Sequence, residues 1–592
     1  LISNGEILGG LVEHLLLTGV PGIAAALFAI RCGTRSLPVL IGIALAVSGT
    51  FATLSFWAYY ADPSIGRVWG FLGLFGSLEV AGWSWWTGDL DRRVLRKLRT
   101  PLLLWLLGSV FIAFLGFLHG GTDQAVSMSA TRFTGQLPTD NDIPRFFAEW
   151  FAAHGHHGRP PIYPGEWLMS DRPPLQVGYV LSQRAFGNSA GDLHYQLLGI
   201  VIQQLWIPAM WAVLWAARLR PSTRSLAMFA AMVSDVAIVH GFFVWPKLLA
   251  ASFLLAATAL VFAPEWARWR RDPRIGFLLG CLLALALLAH GSSVFGVVPL
   301  AAIAVFRGLP SWRWIGVAAL AGAVLLGSWA AYQHYADPPG NRLLKWQLGG
   351  DVGSDDRGTL KAITDGYSEA GWTGTLENKA DNFGEMVGTS RFGEVGDEVD
   401  AFAAAEPETA IEKLRSLRFF SLLPLLGVFI LAPFAMILGR TRARTEEADW
   451  DFALRCLAFV GIACLVWGLL LFGTVEARTT VHVGSLTVPL LGLCGCVAGL
   501  MAVRRRLAIA VVAINVVIVL VLYSPSLTAP PGTSYSAVAA ILTALALAGI
   551  GLVLYREEEA EAGPEEGLRA VLRTSRPSPM EQRLARGGSL HG

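Results

Sequence analysis

Apolar and polar residues alternate along this chain on the scale of whole helices. About fifteen apolar runs, at residues 7–30, 38–60, 67–87, 101–119, 194–217, 225–243, 246–263, 275–290, 293–306, 314–332, 418–439, 452–473, 482–502, 507–524 and 536–555, approach the length that crosses roughly 30 Å of hydrocarbon. Two are weaker than the rest: 67–87 is interrupted by glycines and Glu79, and 293–306 is short. The pattern predicts an all-α polytopic membrane protein with about fifteen transmembrane helices and two long polar loops, roughly 120–193 and 333–417. Both loops are far longer than a connector needs to be. The organisation expected is a set of N-terminal spans (1–100), a core (101–335) carrying the first loop, a second loop or cap (336–417), C-terminal spans (418–555) and a charged tail (556–592).

Basic residues fall on every second connection: Arg31 and Arg35, then Arg92 to Arg99, Arg218 to Arg224, Arg268 to Arg274, Arg307 and Arg313, Arg440 to Arg444, Arg504 to Arg506, and Arg556. Cytoplasmic connections carry the Lys/Arg excess. The alternation therefore places the N-terminus and both long loops outside the cytoplasmic membrane and the C-terminus inside. The tail, rich in Glu and then in Arg, Ser and Pro, reads as disordered.

Composition supports the membrane reading, since 54% hydrophobic and 15% charged residues leave too little polar surface for a soluble globule of 592 residues. Many of the 21 tryptophans stand at run ends, where interface anchors belong. A net charge of +2 singles out no polyanionic partner, so membrane lipid is expected and nucleic acid is not. All six cysteines lie in or beside apolar runs, without a zinc or disulfide pattern. The first run lacks a basic leader and an Ala-x-Ala site, and reads as a span. No internal repeat is evident.

Chemistry concentrates in the first loop. Thr139-Asp-Asn-Asp142 precedes a stretch, Ile143 to Ala153, with Phe146, Phe147, Trp150 and Phe151 at helical spacing. This predicts an amphipathic helix in the membrane interface. Asp140 and Asp142 stand at its head, where one carboxylate is accounted for by capping and a second is available for other work. Farther on, Arg172-Pro-Pro-Leu-Gln176 opens another interfacial helix.

The combination of Asp142-Ile-Pro-Arg-Phe-Phe-Ala148 in an external loop with a later Arg-Pro-Pro-Leu resembles the GT-C superfamily of integral-membrane glycosyltransferases. Protein O-mannosyltransferases and lipid A aminoarabinose transferases belong to it. The resemblance covers roughly 100–335 and matches the family's Asp-Glu-x-Arg-Tyr-Ala pattern, with Arg145 and Phe146 in register. Ile143 replaces the usual Glu, or Asn141 in the register that starts from Asp140, and the loop follows the fourth run instead of the first. The resemblance implies a GT-C-like fold and inverting transfer of a sugar from a polyprenyl-phosphate donor to a glycan, lipid or protein acceptor of the cell envelope. It assigns Asp142 the role of catalytic base, with Asp140 as second choice. Arg172, Arg145, Arg342, Lys345, Arg478, Lys247 and His290 are then candidates for the donor phosphate, each with the alternative of an ordinary interfacial or packing role. A glycan polymerase or ligase using a lipid diphosphate, and a transporter or flippase, are the rival readings.

No cofactor is required by these residues. A divalent cation would find its ligands among His154, His156 and His157 with Glu149 or Glu166, although a Gly-rich histidine loop is more often solvated. The second loop is expected to contribute helices near 341–348, 376–388 and 396–416 and to cap the site.

Overall fold

A computed structural model describes residues 4–88, 90–134, 137–351, 353, 357–388, 407–439, 447–473, 485–523 and 535–574. The first half comprises α1 (Asn4–Arg31), α2 (Leu37–Ala61), α3 (Pro63–Thr87), α4 (Arg92–Gly116), α5 (Ala125–Ser129), α6 (Ile143–His154), α7 (Leu175–Gln183), α8 (Asp192–Gln203), α9 (Trp206–Ala216), α10 (Pro221–Met232), α11 (Asp235–Phe243) and α12 (Lys247–Phe262). Then come α13 (Trp266–Trp269), α14 (Pro273–Ala289), α15 (Val294–Phe306), α16 (Trp312–Ala331), α17 (Arg342–Gly349) and α18 (Thr359–Val387), the last broken at Gly371. The remainder is α19 (Pro407–Phe420), α20 (Leu422–Leu426), α21 (Ala432–Gly439), α22 (Glu447–Leu470), α23 (Thr487–Val503), α24 (Arg505–Tyr523) and α25 (Ala537–Thr574). Among the described residues there is no strand, only an isolated bridge between Tyr163 and Trp167.

Every one of the fifteen apolar runs contains helix within its described residues, but not every such helix has the length and composition of a span. Among the described residues nine helices are long and apolar enough to cross a membrane, or ten if the pair α10 and α11, bent by 47°, forms one span. Four more, Lys247–Phe262, Pro273–Ala289, Gly291–Phe306 and Thr487–Val503, are apolar but short. At about 1.5 Å per residue, their 16 or 17 residues fall short of the hydrocarbon thickness. α3 is long, but its glycines, Arg67 and Glu79 dilute its apolar character, and only Gly66, Gly70 and Ser84 are buried along it. The chain is thus a multi-pass helical membrane protein with a smaller certain span count than its apolar runs suggest.

The centre is α8–α9, joined through a turn at Gln204 and Leu205, together with α12. All sixteen residues of α12 are buried, as is every residue from Tyr195 to Leu214. α2, α4, α10, α14 and α23 surround it. Small residues set the closest approaches: a Cβ on Gly276 or Gly280 of α14 would lie 2.7 or 2.3 Å from the backbone oxygens of Trp314 and Ala318 on α16. The Gly-x-x-x-Gly face brings two backbones into contact where lipid supplies no hydrophobic drive.

The start of the tail is helical, and residues 575–592 lie outside the described residues. α25 continues past 556 to Thr574, because Glu557 accepts from Thr100 Oγ1 (2.7 Å), Glu561 pairs with buried Arg224 (2.7 Å) and Glu558 lies 3.6 Å from Arg505. The acidic run neutralises the basic ends of neighbouring helices instead of remaining in solution.

Candidate active site

The first loop folds back onto the ends of α2, α8 and α12. A 3₁₀ turn, Thr139–Asn141, leads into α6, whose Ile143, Phe147, Ala148 and Phe151 are buried as the aromatic spacing predicts. α7 then packs against α2 so closely that a Cβ on Gly178 would sit 2.1 Å from the Ala52 carbonyl oxygen. That contact sets the height of the Arg172 segment on the helix bundle.

Asn141 anchors the turn. Its Nδ2 donates to Val126 O (2.8 Å) and Ser129 Oγ (2.9 Å), and its carbonyl accepts from the buried Tyr195 hydroxyl (2.6 Å). With Asn141 fixed inward, Asp140 and Asp142 project to different partners. Asp140 pairs with Arg172 Nη2 at 3.1 Å, both largely buried. Asp142 Oδ1 accepts from Arg145 Nε at 2.5 Å, and the other terminus of that guanidinium meets Asp192 at 3.3 Å. Tyr163 Oη completes the second cluster, 3.4 Å from Asp142 Oδ2. The capping expected of one Asp is not realised: Asp142 occupies the N-cap position of α6 but its side chain accepts no first-turn N–H, because Arg145 holds it.

Burial opposes the Arg145 charge, yet the hydrogen bond and charge of Asp142, joined by Asp192, outweigh it and hold the guanidinium pKa above its ordinary value. Burial, with the Asp142 carboxylate adding to it, raises the Tyr163 hydroxyl.

Below Asp140 and Arg172 lies Lys247, the first residue of α12. It is 1% exposed, and its Nζ has no hydrogen-bond acceptor among the described residues. It rests 4.4 Å from the Trp245 ring centre, and Asp140 and Arg172 are the charges that act on it. The chain breaks here between α11 and α12, with Val244 in the left-handed region (φ 51°). A β-branched residue is strained there. The carbonyls freed by the break are taken up by buried amides, Phe242 O by Gln196 Nε2 (2.5 Å) and Val244 O by Gln176 Nε2 (2.9 Å). Gln203 Oε1 accepts from Leu249 N in the first turn of α12 (2.9 Å). Gln176 Oε1, Gln196 Oε1 and Gln203 Nε2 have no partner within the described protein, so the break offers two acceptors for hydroxyl groups and one donor for a hydroxyl or phosphate oxygen.

The other candidates divide. His290 packs edge-on against Trp245, ring centres 5.5 Å apart, and so shares its indole with Lys247. Arg342, on α17, is buried, lies 3.5 Å from Asp171 and sits over the Trp167 ring (5.1 Å), which Arg172 also covers (4.1 Å). Lys345 is buried one turn along α17. Arg478 lies outside the described residues. α17 thus docks on the first loop, and Asp337 adds to the clamp by accepting from Arg159 Nε and Ser170 N, both at 2.8 Å. Helices at 359–387 and 407–420 match the other expected pieces in part; 396–406 lies outside the described residues.

The histidine loop does not assemble a metal site. His154 stacks on Trp150 at 3.9 Å, His156 bonds the Ala61 carbonyl (2.8 Å), and His157 lies against His156. Glu166 is turned to Arg342, and no three His, Cys, Asp or Glu side chains among the described residues converge on one point. Asp192, Tyr163, Trp167 and Gln176 were not singled out by sequence. Only Gly191-Asp192 at the head of an apolar run carried a visible signal. No family model, curated protein or solved structure matches the chain.

Proposed function

We propose that the protein is a membrane glycosyltransferase that moves a sugar from a polyprenyl-phosphate donor to an acceptor at the external face of the cytoplasmic membrane. The observation that carries the reading is the turn at 139–142, which sets two carboxylates apart on Asn141, one beside Arg145 and one beside Arg172 above an unbonded buried lysine. Asp142 takes the proton of the acceptor hydroxyl as that oxygen attacks the anomeric carbon. The bond from carbon to phosphate oxygen breaks, and its electron pair leaves with the lipid phosphate. Arg172 and Lys247 receive the developing charge at the start of α12. Asp140 holds Arg172 in place, while Arg145 and Asp192 orient Asp142.

One observation favours a second reading. A discontinuous helix with a buried lysine and unmatched amides also suits a carrier for a lipid-linked sugar. Consumption of a labelled polyprenyl-phosphate sugar by the purified protein tests the first reading against the second, since a carrier moves its substrate without cleaving it.

A further inference from the structure

The opposite end of the bundle holds a cavity outside the site just described. α2, α4, α12 and the α8–α9 span each reach the loop with one end, and α2, with 25 residues, is about 37 Å long at 1.5 Å per residue. Their other ends border a cavity of about 280 Å³ lined by Arg35, Lys97, Arg218 and Arg268, with Trp215 and Trp269 among its walls. These six side chains come from four separate connections or helix ends, so the fold has gathered them.

Charge, backbone and aromatic walls point to one kind of ligand. Arg218 is matched by Glu265 at 3.3 Å and Arg35 by Asp91 at 3.7 Å, but Lys97 and Arg268 have no carboxylate partner among the described residues. Lys97 lies 5.5 Å from the Trp215 ring centre. α2 begins at the cavity wall, and Ser36, its N-cap, makes no side-chain bond to the first turn. Pro38 has no N–H and Leu40 N bonds Ser36 O (3.0 Å), so what the helix start brings to the cavity wall is its positive dipole end. Cations, an uncapped helix start and interfacial tryptophans together suit a phosphate carried at the membrane surface.

We propose that this cavity binds the phosphate of an anionic lipid headgroup from the leaflet on that side. A soluble phosphate shares the chemistry, and the test separates the two sources. The site is independent of the glycosyltransferase reading and stands or falls without it.

The full-length protein in phosphatidylcholine nanodiscs, with and without phosphatidylglycerol, is assayed for retained phosphatidylglycerol by native mass spectrometry and for thermal stability. Inorganic phosphate is titrated in parallel. Wild type is expected to retain phosphatidylglycerol and to be stabilised by it. The Lys97→Gln/Arg268→Gln variant should retain it about tenfold less or worse, and an Arg506→Gln control should match wild type. Ser36→Glu is a second route to the same answer: a carboxylate at a helix start favours the fold but supplies its own anion, and should displace the lipid. Stabilisation of wild type by inorganic phosphate alone, without lipid retention, would overturn the lipid source. Equal retention by wild type and by both site variants would overturn the site itself.

Discussion

Asp142 and Arg145 stand one helical turn apart, with Oδ1 of one 2.5 Å from Nε of the other, and the same guanidinium reaches Asp192 at 3.3 Å. One cation thus orients two carboxylates, leaving the cluster with a net negative charge and Asp142 partly open to the loop surface. Arg145→Gln removes the charge-assisted bond that aims Asp142. Such a bond is worth about 1.5–3 kcal/mol, so kcat should fall roughly 10- to 100-fold, with donor KM changing less. Steady-state kinetics check the split; an unchanged kcat would remove Arg145 from the positioning role.

Lys247 allows stability and activity to be moved in opposite directions. A buried donor without a partner weighs against folding by about 1–3 kcal/mol, and Met fills nearly the same volume. Lys247→Met should therefore leave the melting temperature unchanged or raised while donor turnover falls by about tenfold or more. If the variant melts earlier and turns over normally, Lys247 is a packing residue.

The seating of α7 on α2 should be as important as the charged residues. Gly178→Val places carbon where the Ala52 carbonyl already stands, an overpacking typically worth about 1–3 kcal/mol. It should lower both melting temperature and turnover by shifting Arg172. Gly82→Ala, on α3 with nothing within 4 Å of the added carbon, should change neither.

Asp171 gives a pH signature. Burial raises its pKa above the ordinary 3.8, with Arg342 and Arg172 only partly offsetting it. Between the unfolded and the raised folded value the native state binds more protons than the unfolded one, so this group's contribution to stability falls as pH rises through that window. Asp171→Asn should flatten that segment of the melting-temperature profile measured across the acid range.

How much of this was legible in the chain depends on the range of the interaction. Helix positions followed from apolar runs, as did α6 from Phe147 and Phe151, because both signals are local. Crossing length was not fully legible, since α12 looks like a span by composition yet is cut short by the break at Val244 to Pro246. Asp140 and Asp142 stood out by their place before α6, but the partners that separate their roles lie far away in sequence: Arg172 for one, Asp192 and Tyr163 for the other. Arg172 drew attention through its Pro-Pro-Leu context, whereas Tyr163 and Gln176 are single polar residues whose meaning appears only when the loop docks. The acidic start of the tail read as solvated because Arg224 and Arg505, which bind it, belong to other helices.

The central claim is that Asp142 is the base for transfer from a lipid phosphate. Purified wild type, Asp142→Asn and Asp140→Asn are each given a panel of radiolabelled polyprenyl-phosphate sugars with a membrane-extract acceptor, and released lipid phosphate and labelled product are counted. The account predicts that wild type consumes one donor, that Asp142→Asn loses roughly 100-fold or more, in the range of a general base, and that Asp140→Asn retains measurable turnover with a raised donor KM. Consumption of no monophosphate donor by wild type, or full activity in Asp142→Asn, would contradict it.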